Sequence, residues 1–194
     1  MPDRDPADLA WYEQHLDEVT VGGAQPLSSP IELREYDPAW PLAYAREEAQ
    51  IRAALGGRAL RVEHAGSTAV PGLAAKPILD VVLEVADSAD EPAYVPPLEA
   101  AGYALRIREP DWLEHRMLKR LVPEVNLHVF PAGCAEVERM LAFRHHLRAS
   151  TADRELYASV KRELAAREWR YTQQYADAKS DVVREIMARA LRGG

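Results

Sequence analysis

The run Ile78-Leu79-Asp80-Val81-Val82-Leu83-Glu84-Val85 constrains this 194-residue chain more than any other segment. It has strand length, is rich in valine and is apolar on both faces. It therefore reads as a buried central strand. Other strand-like runs are Arg58 to Ala65, Tyr103 to Ile107, and the pair His115 to Val122 and Glu124 to Phe130, a hairpin around Pro123. Helical patterns flank them. Asp5, followed by Pro6, is an N-cap for a short helix reaching Asp17. Asp37-Pro38 opens a second helix that runs to Leu55 and stops at Gly56-Gly57. Pro97 to Gly102 ends another. Beyond Gly133 the chain reads as helix in three pieces, parted near Ser150 to Asp153 and near Trp169. Strands in the middle with helices at both ends predict an α/β (α+β) domain, a mixed sheet flanked by helices with a C-terminal helical segment. Residues 1–30 read as an extension and 31–194 as the domain.

Bulk properties narrow the function classes. The net charge of -7 disfavours nucleic acid as a partner, and no Lys/Arg-rich run offsets it. No apolar run is long enough to cross a bilayer. The acidic start and the single cysteine, Cys134, predict a cytoplasmic protein without disulfides.

Between the first strand and the central one lies Gly66-Ser67-Thr68, followed by a loop of small residues and proline. Gly66 allows close backbone approach to a ligand. Ser67 and Thr68 add hydroxyls and N–H groups suited to phosphate oxygens. Asp80 is costly to bury alone, so a cation or metal ion is expected beside it. Read by themselves, these residues equally describe an ordinary turn and a structural aspartate.

The C-terminal helices carry an independent signal. Apolar stripes run Val137, Met140, Leu141; then Tyr157, Val160, Leu164; then Tyr171, Tyr175, Val182, Val183, Ile186. Arg144, Lys161 and Lys179 fall within them. Such side chains can lie along apolar surface with the charge in water. Three together suggest instead cations gathered around internal acids or a bound phosphate.

The longer string Glu63-His64-Ala65-Gly66-Ser67-Thr68, with Val70-Pro71-Gly72-Leu73 and Ala75-Lys76-Pro77-Ile78-Leu79-Asp80, resembles the signature of the GrpB family. Glu35-Tyr36-Asp37-Pro38-x-Trp40, Asn126-Leu127-His128 and Phe143-Arg144-x-x-Leu147-Arg148 agree with it, and the resemblance runs from about Ile31 onward. That family is grouped with the nucleotidyltransferase fold. The resemblance implies a Gly66-Ser67-Thr68 turn on a nucleotide triphosphate and Asp80 as the first carboxylate for Mg²⁺. It also implies cleft cations at Arg116, Arg144, Lys161 and Lys179. Superfamily enzymes carry a second acid two positions after the first, where this chain has Val82. Glu84 is about 13 Å along the strand from Asp80, too far to share an ion. Glu63 and His128 (or Asn126) are then the candidate partners.

Two functions follow as expectations. One is an enzyme that binds a nucleoside triphosphate with Mg²⁺ and transfers a nucleotidyl or phosphoryl group to a small acceptor, with Asp80, Lys161 and Lys179 as its working groups. The other is a binding or accessory module that kept the fold and lost the chemistry. The family's occurrence fused to dephospho-CoA kinase suits the second.

Overall fold

The computed structural model describes Asp5 and residues 7–192. Five strands form one mixed sheet: β1 (Arg61–Ala65), β2 (Leu79–Val85), β3 (Ala104–Glu109), β4 (His115–Leu121) and β5 (Glu124–Pro131), in the order β1-β2-β5-β4-β3. β2 runs parallel to β5, and the other neighbours are antiparallel. The valine-rich run is an interior strand, paired on both edges.

Alternation along β2 divides its side chains between two faces. Leu79, Val81, Leu83 and Val85 face α2 (Trp40–Leu55) and α3 (Glu91–Ala100), joining Ile51, Leu55, Tyr94, Leu98, Leu127 and Val129 in the main core. Asp80, Val82 and Glu84 share the opposite face with Asn126, His128 and Phe130, their register partners on β5. Helix α4 (Ala135–Ala149) covers part of that face, packing Val137 and Leu141 on Val82 and Phe130. Helices α5 (Thr151–Ala165), α6 (Thr172–Asp177) and α7 (Ser180–Arg192) complete the C-terminal layer. Val70 and Leu73 of the loop after β1 pack among Leu147, Tyr157 and Ile186 of α4, α5 and α7.

Several boundaries differ from the sequence expectation. The first helix, α1 (Leu9–Val19), starts later than Asp5, because the Asp8 carboxylate takes the cap, accepting from the Trp11 amide at 3.1 Å. Pro6 lies outside the described residues. Asp37 accepts from the Ala39 amide at 2.8 Å in a turn, so α2 begins at Trp40. The last helical stretch is two helices that meet near Ala178. Segment 7–30 lies against the domain. Thr20 bridges Ile107 beside β3, the Val21 amide donates to the Arg106 carbonyl at 2.8 Å, and the buried Tyr12 hydroxyl meets Asp177 at 2.6 Å. No helix among the described residues is long and apolar enough to cross a membrane.

Candidate phosphate-binding cleft

Gly66 ends β1 at φ +65°, a region that side chains other than glycine rarely adopt. A β-carbon there would lie 2.2 Å from Oδ2 of Asp80. The bend and the carboxylate are therefore in contact, and only glycine fits. Asp80 stands opposite Ala65 in the ladder and beside Asn126, whose Nδ2 donates to Asp80 Oδ1 at 3.0 Å. His128 Nε2 is 3.9 Å from the same oxygen. Burial pushes the Asp80 carboxyl up, but His128, Asn126 and Lys76 outweigh it and hold the group below the usual carboxylate range.

Three lysines feel this carboxylate. Lys161 on α5 is buried and donates to the Ala74 carbonyl, with its ammonium 5.0 Å from the Tyr157 ring centre. Lys179, between α6 and α7, and Lys76, in the loop before β2, flank the Tyr175 ring at 4.4 and 5.7 Å. Burial, then neighbouring cations (Lys179 and Arg162), push Lys161 down to about 7, while Asp80 opposes the shift. Burial and Lys76 push Lys179 down to about 8, against Asp80 and Asp177. Lys76 is lowered for the same first reason. All three amines are thus easier to deprotonate than an ordinary lysine, first because they are buried, and Asp80 opposes the shift in each. The Tyr175 hydroxyl is buried beside them without a hydrogen-bond partner.

The expected site residues separate into groups. Gly66, Ser67, Asp80, Lys161, Lys179 and His128 belong to this cleft. Ser67 borders it beside Tyr157, whose deprotonation it favours against burial. Thr68 belongs only by its backbone. Its hydroxyl is turned inward, 3.0 Å from His64 Nε2 and 3.3 Å from the Ile78 carbonyl, so it is not directed at a ligand. Arg116 lies across the sheet from Asp80. It pairs with Glu91 of α3 at 2.7 Å, because its β4 position shares a face with Val129 rather than His128. Arg144 is buried as expected, and its charge is paired although its Nε has no hydrogen-bond partner among the described residues. It donates to Glu63 at 2.9 Å and to the His64 carbonyl at 2.6 Å, tying α4 to β1. Glu63 is thereby removed as a metal ligand.

A protein-held Mg²⁺ does not fit these donors. The ion requires near-octahedral oxygen coordination, and the cleft offers one carboxylate, already accepting from Asn126, so the remaining oxygens would have to come from water and substrate phosphates. Val82, where a second acid would stand, is fully buried and packs with Phe130, Val137 and Leu141. Glu84 accepts from the Gly133 amide at 2.9 Å. Among the described residues, no group of three or more His, Cys, Asp or Glu could hold a metal ion.

Sequence reasoning passed over Lys76, Tyr157 and Tyr175 as cleft residues. Lys76 sits in the signature string four residues before Asp80, which was the available signal. The two tyrosines read simply as apolar stripe positions. A concavity of about 720 Å³ lies elsewhere, between Asp5, Trp169 and Asp181, and is lined by none of these groups.

The chain is similar along most of its length to other proteins. It is 58% identical over 178 residues to a UPF0157 protein of Halalkalibacterium halodurans, covering 92% of this chain and 91% of that one. It is 47% identical over 170 residues to a UPF0157 protein of Streptomyces coelicolor, covering 88% of each. A shorter stretch of 108 residues, half of this chain, is 40% identical to 26% of the dephospho-CoA kinase of Mycolicibacterium paratuberculosis. The crystal structure of the conserved protein GrpB from Enterococcus faecalis superposes with a TM-score of 0.72 at 30% identity, over 84% of this chain and 98% of that one. The family model described as GrpB protein matches residues 30–189, and the chain belongs to the GrpB family.

Proposed function

We propose that this chain binds a nucleoside triphosphate, or a ligand with an equivalent polyphosphate, in the Asp80 cleft, and that the lysines rather than a metal ion neutralise the phosphates. One observation carries the reading: Lys76 and Lys179 flank one tyrosine ring, Lys161 lies buried over another, and all three are within electrostatic reach of Asp80 in a protein whose net charge is -7. Desolvated ammonium groups need anions, and Asp80 is the one carboxylate that acts on all three, with Asp177 acting besides on Lys179 and Glu124 on Lys76. The Gly66 bend keeps side chains out of the approach to Asp80, and the Tyr175 hydroxyl adds an unused donor. With a phosphate bound, Asp80 would accept a hydrogen bond from an acceptor hydroxyl. Transfer of a nucleotidyl or phosphoryl group to that acceptor is the reaction this arrangement serves.

The second reading is a binder without turnover. Val82 in the buried position of the usual second acid favours it. Calorimetric titration with ATP and with tripolyphosphate, in EDTA and in Mg²⁺, tests the shared part. Binding should persist in EDTA and weaken at least tenfold in the double variant Lys161→Met, Lys179→Met. No heat with either ligand in either buffer would refute both readings. Asp80→Asn separates them. An Asp80-dependent product from labelled nucleotide selects the enzyme, and binding without product selects the binder.

A further inference from the structure

The family model begins at residue 30, so helix α1 lies outside the region it matches. The N-terminal segment nevertheless reaches the lysine end of the cleft. Tyr12 of α1 is fully buried, and its hydroxyl donates to Asp177 Oδ2 of α6 at 2.6 Å. Glu13, the next residue, pairs with Arg170 at 3.0 Å, and the Leu27 amide donates to the Arg170 carbonyl at 2.8 Å. Leu27 and Ile31 pack in the cluster that holds the Tyr175 ring. The segment thus backs the helix that carries Tyr175 and leads into Lys179.

Asp177 stands two positions before Lys179. An acid and a base so close in the chain can cancel each other. Among the described residues these two form no ion pair. Both carboxylate oxygens are already in use: Oδ2 accepts from Tyr12, and Oδ1 accepts from Gln173 Nε2 at 2.8 Å. The Tyr12 bond is short, as is usual where a hydroxyl donates to an ionised carboxylate. It runs in one direction only, because that carboxylate has no proton to give. Asp177 acts on Lys179 through space, while the Lys179 ammonium lies against the Tyr175 ring at 4.4 Å.

We propose that Tyr12 is a positioning residue for the cleft: its hydroxyl holds the Asp177 carboxylate off Lys179 and thereby keeps that ammonium available to a polyphosphate. The ligand rests on the function proposed above; the arrangement of Tyr12, Asp177 and Lys179 does not. Without the hydroxyl, Asp177 Oδ2 loses its donor, and the ammonium two residues on becomes its partner. A ligand phosphate would then have to displace that carboxylate.

Three full-length variants test this: Tyr12→Phe, which keeps the buried ring, Asp177→Asn, and the two combined. In calorimetric titration with tripolyphosphate, Tyr12→Phe should bind about fivefold more weakly than the wild type, the scale of one partly exposed ion pair. Asp177→Asn should bind at least as tightly as the wild type. The combined variant should recover wild-type affinity within about twofold, because no carboxylate is left to compete. A purely structural role would instead make the losses add. Wild-type affinity in folded Tyr12→Phe overturns the proposal, as does a combined variant no tighter than Tyr12→Phe. The acylation rate of Lys179 in the ligand-free chain, read by mass spectrometry after a pulse of acetic anhydride at constant pH, needs no binding. It should fall about fivefold in Tyr12→Phe and recover in the combined variant, since an ion pair keeps the amine protonated. An unchanged rate overturns the proposal. So does an NMR coupling from Lys179 Nζ to the Asp177 carboxylate carbon in the wild type, which requires no variant to fold. Failure of the wild type to bind any triphosphate overturns the proposed function, while the acylation rates still decide what Tyr12 does.

Discussion

Two sets of buried cations sit on this fold, and they do different work. Arg144 and Arg116 reach across to acids and carbonyls of other elements, Glu63 and the His64 carbonyl in one case and Glu91 in the other. Lys161 and Lys179 meet a carbonyl, two tyrosine faces and one shared aspartate. The arginines' charges are already paired and hold elements together. Among the described residues the lysines form no ion pair with the acids that act on them, Asp80 and Asp177, so their charges stay open to a ligand. A buried cation on an apolar stripe is therefore no evidence of a site until its partners are counted.

Removing one cation of each kind tests this contrast. Arg144→Met should produce the largest stability loss, about 3 kcal/mol in urea denaturation. That is the low end for breaking a buried pair, because Glu63 remains a third exposed to water. An unchanged urea midpoint would erase the distinction. Lys161→Met should leave stability within about 1 kcal/mol, since a methionine can fill the same volume without burying an incompletely paired charge. It should instead weaken tripolyphosphate binding about tenfold.

The lysine set also predicts a pH signature. In the folded chain Lys161 and Lys179 release protons near 7 and 8, whereas the unfolded chain keeps them up to the ordinary lysine value of 10.5. The unfolded state thus binds more protons between about pH 7 and 10.5. The contribution of these two groups to stability should rise with pH across that window. Anion affinity should fall over the same range as the ammonium charges disappear. Calorimetry at pH 6.5 and 9 measures the affinity, and Lys161→Met should flatten its slope. The smallest effect belongs to an exposed pair, Arg162 with Glu35 at 3.3 Å. Arg162→Ala should change stability by less than about 0.5 kcal/mol. A larger loss would mean that exposed arginines carry weight as well.

Much of this could be read along the chain. The Gly66 bend, the central strand with Asp80 and the inward placement of Arg144 and Lys161 are local patterns, because periodicity and glycine chemistry act over a few residues. Thr68 was misread because a hydroxyl's direction depends on its neighbours. Here His64 and the Ile78 carbonyl turn it inward. Arg116 was misplaced because an arginine on a strand lies on one face or the other according to register, and residue 116 pairs with Val129.

By itself, the sequence determined the family, the helix and strand types and the set of inward-facing charged residues, because each follows from short-range spacing and from the cost of burying charge. Only the tertiary structure decided which of those charges are already neutralised. Arg144 finds Glu63 across eighty-one positions of chain, and such a partner is chosen by packing and register, not by any pattern near either residue.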